Sequence, residues 1–187
     1  DGKPVLWARP WIIKEVAGVK VGIFGLTTSR MRGLAFPKNI AGLDFRREAD
    51  AARVCVKELK NAGATVIIAV THIGLEGEDR KFEGDETLAR EVAGIDLIVG
   101  GHSHTFLNRP IRAENGTLIV QAGAHLVKAG RATLEIDPKT KKVAASSDEL
   151  IELWPDRVGE DSAVKAVVAG HAEAVGKVFE TVIATAP

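Results

Sequence analysis

Three histidines stand out as residues able to do chemistry, each placed just beyond an apolar run. Thr65-Val66-Ile67-Ile68-Ala69-Val70 leads to His72, and Asp96-Leu97-Ile98-Val99 leads across Gly100-Gly101 to His102 and His104. Runs of this length and character read as strands of a parallel sheet buried beneath helices. Ligands of such sheets gather beyond the carboxyl ends of the strands. His102 and His104 alternate, so in an extended segment both rings face the same way. A single histidine after a strand is usually a hydrogen-bonded structural residue. Three at one rim, with Gly100 and Gly101 clearing space beside them, suit a divalent transition metal.

The elements that must position these residues can be read in order. Val5–Arg9 and Trp11–Val16 read as short strands around Pro10, with a turn at Lys14–Lys20 leading into a buried strand, Val19–Leu26. Thr27 to Phe45 reads as a loop carrying Arg30, Arg32 and Lys38. It is either simply solvated or an active-site wall that contacts phosphate. Asp44 is expected to cap a helix running to Ala62, with Gly63 just past its end. Ala52, Cys55, Val56 and Leu59 form its apolar face, which makes Cys55 a core thiol. Glu76–Lys81 reads as a solvated charged loop. Asp85 is expected to cap a helix to Val92 that ends at Gly94, and Gly84-Asp85 is read as that cap in preference to a metal motif.

Beyond His104 the pattern changes to hairpins. Glu114-Asn115-Gly116 signals one turn, and Asp137-Pro138-Lys139-Thr140 centres a second hairpin over Arg131–Leu153. Both are expected as antiparallel additions to the edge of the parallel core. His125 ends a strand, and a structural role is preferred over a place beside substrate. Asp161 or Ser162 opens a helix to about Thr181, with His171 as a partly buried packing residue on its apolar stripe.

The 187 residues suffice for one ordinary domain, and 45% apolar with 27% charged residues is a globular composition. Lys+Arg and Asp+Glu both number 25, so no net field recruits nucleic acid or an anionic membrane. No apolar run is long enough to span a bilayer. The single Cys55 excludes an internal disulfide.

The residues around the histidines also carry a resemblance. Thr71-His72-Ile73-Gly74 followed by Gly100-Gly101-His102-Ser103-His104-Thr105 resembles the second half of the motif set of calcineurin-like metallophosphoesterases. Asp85-Glu86-Thr87-Leu88-Ala89 and Gly94-Ile95-Asp96-Leu97-Ile98 resemble its bacterial 5′-nucleotidase branch. The similarity runs from Val19–Thr28 through Val120-Gln121-Ala122-Gly123-Ala124-His125 to about Asp137.

The resemblance implies an α/β fold, part of an αββα sandwich with a mixed sheet and antiparallel C-terminal hairpins. It implies hydrolysis of nucleotide phosphate monoesters at two divalent ions, zinc, manganese or similar. His72 and His102 would hold one ion and His104 the other, with His125, Arg30 and Arg32 as possible substrate-side groups. The family's Asp-x-His and Gly-Asn-His motifs do not occur here, and the one Gly-Asp pair, Gly84-Asp85, opens a helix and does not close a strand. Two neighbouring cations need bridging anionic oxygen, and histidines supply none. Asp96 lies at the far end of its strand, about 20 Å from His102.

The expectation is therefore residues 1–160 as the C-terminal half of a metallophosphoesterase domain, with 161–187 a linker helix toward a further domain. This half would contain no catalytic residue of its own, hold at most one weakly bound ion, and be inactive alone. Its partners would be a phosphate ester and either the N-terminal half or a second copy of the chain, with neither nucleic acid nor membrane among them. The family context implies an extracytoplasmic location. Alternatives are a cyclic-nucleotide phosphodiesterase of the same family and a non-catalytic metal-binding or interaction module.

Overall fold

The structure is a computed structural model that describes residues 5–76, 83–180 and 182–184. It divides into two compact units, residues 1–151 and 152–187.

In the first unit, β1 (Trp11–Val16) and β2 (Val19–Thr27) form an antiparallel hairpin. Ala17 and Gly18 turn it with φ of 49° and 75°, the left-handed pair that matches strand twist in a two-residue loop. The expected strand at Val5–Arg9 does not form; those residues are turn and irregular backbone running up to Pro10. Met31–Leu34 is a single helical turn, α1, and Pro37–Asn39 a 3-10 turn, so the stretch after β2 is more ordered than a plain loop.

The helix α2 spans Glu48–Asn61, three residues later than an Asp44 cap would start it. Its first turn is held from afar: the buried Glu83 carboxylate accepts from Ala49 N at 2.8 Å, and buried Glu48 accepts from Ser29 N at 2.6 Å. Asp44 instead faces Arg32 at 3.9 Å. Ala52, Cys55, Val56 and Leu59 are buried, as their spacing requires. Burial raises the Cys55 thiol pKa, consistent with a core role.

Strand β3 (Val66–His72), helix α3 (Asp85–Glu91) and strand β4 (Leu97–Val99) follow. The charged stretch from Gly77 to Lys81 lies outside the described residues. Next come β5 (Ile111–Arg112) and β6 (Leu118–Val120). The six strands order as β1-β2-β3-β4-β6-β5, with β2, β3, β4 and β6 mutually parallel and an antiparallel strand at each edge. The first C-terminal hairpin thus contributes one parallel strand, β6, and one antiparallel edge strand, β5.

The second hairpin, β7 (Lys128–Ile136) and β8 (Val143–Glu152), does not extend the sheet but forms a two-stranded sheet of its own. Its Ala132 and Leu134 pack on Leu97, Leu118 and Val120 of the main sheet. Helices α2 and α3 supply residues to the core on the opposite face, with Phe24, Ile67, Ala69, Ile98 and Ile119. The second sheet covers only part of its face: Val70 and Val99 remain 49% and 37% exposed.

In the second unit, Pro155–Val158 is one turn, α4, and α5 runs over Ser162–Phe179. Asp161 caps α5, its Oδ1 accepting from Ala163 N and Val164 N at 2.9 Å. His171 is exposed, not packed, as is the stripe of valines beside it. Among the described residues no helix is long and apolar enough to cross a membrane.

Candidate metal centre

His72 is the last residue of β3 and lies in register with Thr27, the last residue of β2. Both strands therefore end at one rim, from which Thr28, Ser29 and Arg30 lead into α1. Gly100 and Gly101 leave β4 at the next position along that rim. A Cβ on Gly101 would lie 3.2 Å from His72 Nδ1 and 3.3 Å from Thr71 O, so any larger residue would push the two segments apart by a few tenths of an ångström.

The segment beyond is not extended. His102 and His104 take left-handed backbone at φ 82° and 57°, so simple alternation does not fix where their rings point. His125 and Leu126 share that conformation at 60° and 55°. Such backbone is costly for residues other than glycine and concentrates at functional sites.

The result is two imidazole pairs. His72 and His102 have ring centroids 5.0 Å apart with planes at 68°, and His104 and His125 lie 5.4 Å apart at 75°. His104 thus stands beside His125. Among the described residues no group of three or more histidine, cysteine, aspartate or glutamate side chains gathers at metal-holding distance. Two imidazoles on one tetrahedral ion, at about 2.0–2.1 Å per nitrogen, would have centroids about 5 Å apart. Both separations fit that spacing, and neutral imidazole suits zinc. Arg30 is half-buried at the start of α1, and Arg32 is exposed beside Asp44.

Sequence reasoning missed two residues behind the rim. Asp85 is fully buried, and its carboxylate makes no cap to its own helix. Its Oδ1 accepts from Thr71 Oγ1 at 2.6 Å, while Oδ2 has no partner among the described residues. Burial pushes this carboxyl up to about 7, against the opposing Thr71 hydrogen bond. Gln121, equally buried, accepts at Oε1 from Thr105 N at 2.7 Å and Ser103 Oγ at 3.1 Å. Asp96, by contrast, accepts from Ile67 N at 2.8 Å at the start of β4, away from the histidines.

Comparison with known proteins decides the lineage. Residues 6–121 match the family described as "Bacterial capsule synthesis protein PGA_cap". The chain belongs to that family. Its relatives and fold are those of calcineurin-like phosphoesterases of the 5′-nucleotidase type, a hydrolase family. It is 30% identical over 169 residues to endonuclease YhcR of Bacillus subtilis, covering 89% of this chain and 14% of that protein. It is 35% identical over 149 residues to a 5′-nucleotidase of Vibrio cholerae, covering 68% and 27%. The crystal structure of a 5′-nucleotidase precursor from Thermus thermophilus superposes with a TM-score of 0.76 at 28% identity, over 94% of this chain and 36% of that one. The chain thus spans less than a third of the length of these curated relatives. The lineage agrees with the resemblance carried by Thr71–Gly74 and Gly100–Thr105.

Proposed function

We propose that the protein carrying this chain hydrolyses phosphate monoesters of nucleotides, and that the chain supplies the histidine half of a dinuclear metal centre. The observation that carries this reading is the spacing of the two imidazole pairs at the carboxyl rim of the parallel strands. Divalent ions, when bound, neutralise phosphate charge and make water a competent nucleophile at neutral pH. His72 and His102 would hold one such ion and His104 the other. His125, beside His104, would stand on the substrate side. Arg30 and Arg32 would add positive charge where α1 leaves the same rim.

No carboxylate joins the imidazoles among the described residues. The anionic share of the centre must come from another segment or chain, so this chain alone retains at most one weakly held ion and does not turn over. The same reading puts the protein outside the cytoplasm, in line with the Thermus thermophilus 5′-nucleotidase being a precursor.

The test is hydrolysis of a nucleoside monophosphate and an aryl phosphate with added Mn²⁺ or Zn²⁺. The chain is assayed alone, as His102→Ala, and with a segment bearing Asp-x-His and Gly-Asn-His motifs added in trans. Activity only in the mixture, lost with His102→Ala, is the expected result. Metal-dependent turnover by the chain alone would overturn the incomplete-site reading. A mixture that binds metal without hydrolysing either ester would favour a non-catalytic metal-binding module.

A further inference from the structure

Asp85 is a buried carboxylate that accepts from Thr71 at Oδ1 and has no hydrogen-bond partner at Oδ2 among the described residues. A buried polar atom without a partner is costly and calls for an explanation. Its surroundings offer one. A Cβ on Gly100 would collide with Asp85 Oδ2 and lie 3.1 Å from Gln121 Nε2, so an acceptor and a donor face the same side of that glycine. Neither atom has a hydrogen-bond partner among the described residues. On either side of them the two histidine-bearing segments are laced together. Gly74 N donates to Gly101 O at 3.1 Å, Leu75 N to Ser103 Oγ at 3.1 Å, and Asp85 N to Gly74 O at 2.8 Å.

We propose that Asp85 is a positioning residue: with Thr71 and Gln121 it clamps the Gly100–Gly101 turn and so sets His102 and His104 against His72. Thr71 ties the clamp to the end of β3, one residue before His72. Gln121 ties it to Ser103 and Thr105, which flank His104. The inference rests on reading His72 and His102 as ligands. Groups that orient ligands from behind typically change metal affinity by about 10–100-fold when removed.

The test uses the whole chain, with Zn²⁺ titrated calorimetrically and exchange of the Thr105 amide followed by NMR. Asp85→Ala should weaken Zn²⁺ about 10–100-fold and speed Thr105 exchange, while Asp85→Asn, which can still bond Thr71, should stay within roughly threefold of the parent. Asp96→Asn is the structural control: it removes a half-buried, hydrogen-bonded carboxylate at the other end of β4 and should move neither readout. Should Asp85→Ala fail to fold, Gly100→Ala decides, because its methyl presses on the same carboxylate and should weaken Zn²⁺ likewise.

Parent-like affinity and protection in Asp85→Ala or Gly100→Ala would overturn the proposal, as would an equal loss in Asp96→Asn. His72→Ala separates the two levels of the argument. If it leaves Zn²⁺ binding unchanged, the ligand reading fails, and Thr105 exchange alone judges the clamp.

Discussion

At the scale of single residues, the histidines were legible because each follows an apolar run that can only be a strand. Asp85 and Gln121 were not. Asp85 opens a helix, where an aspartate ordinarily caps, and only its tertiary contacts, the Thr71 hydrogen bond and Gly100, show that its side chain turns the other way. Gln121 reads as the polar end of an apolar strand, and its bonds to Ser103 and Thr105 depend on a turn that no local pattern encodes.

The Asp85 environment has a consequence for stability. Its carboxyl titrates at about 7 in the folded chain against 3.8 ordinarily, chiefly through burial. The folded state therefore holds this proton more tightly than the unfolded one. Its favourable contribution is complete below about pH 4 and is lost as pH rises through 7, a difference on the order of a few kcal/mol. Urea unfolding in chelator at pH 5 and pH 8 measures it. Asp85→Asn should reduce the loss between those pH values, and an unchanged pH slope in that variant would contradict the assignment.

At the scale of elements, periodicity placed α2, β2, β3 and α5, because each buries or displays a stripe set by its own repeat. Boundaries failed where distant groups decide them. Helix α2 starts at Glu48, beyond Asp44, because Glu83, 34 positions away in sequence, satisfies Ala49 N. Glu83→Ala should thus cost about 1–3 kcal/mol in chemical denaturation, as expected when a buried donor loses its partner. Asp44→Ala should fall within about 0.5 kcal/mol of the parent. The reverse order would restore Asp44 as the cap. The hairpins were recognised by their turns, but turn residues say nothing about which sheet a strand joins. β6 paired with β4 in parallel, and β7 with β8 formed a separate layer.

At the scale of the whole molecule, a parallel core with hairpins after it was legible from apolar runs and turn residues, while the αββα plan came only with the family resemblance. The cover on each face was not. Ile12, Ile23, Ile68 and Val70 share the face that the second sheet covers only in part, and Ile12 and Val70 are exposed. An apolar face of this kind draws a partner. We expect concentration-dependent self-association in light scattering, or capture of a complementary segment that completes the sandwich. Val70→Lys should suppress the association. A parent chain that stays monomeric across the micromolar range, alone and with that segment, would contradict the expectation.

The central claim is that His72 and His102 are two ligands of one ion. Anomalous diffraction from crystals of the chain grown with Zn²⁺ tests it most directly. A zinc peak is expected about 2.0–2.1 Å from one ring nitrogen of each residue, and no such peak in His102→Ala. Zinc bound elsewhere on the chain, with the two rings left uncoordinated, would contradict it.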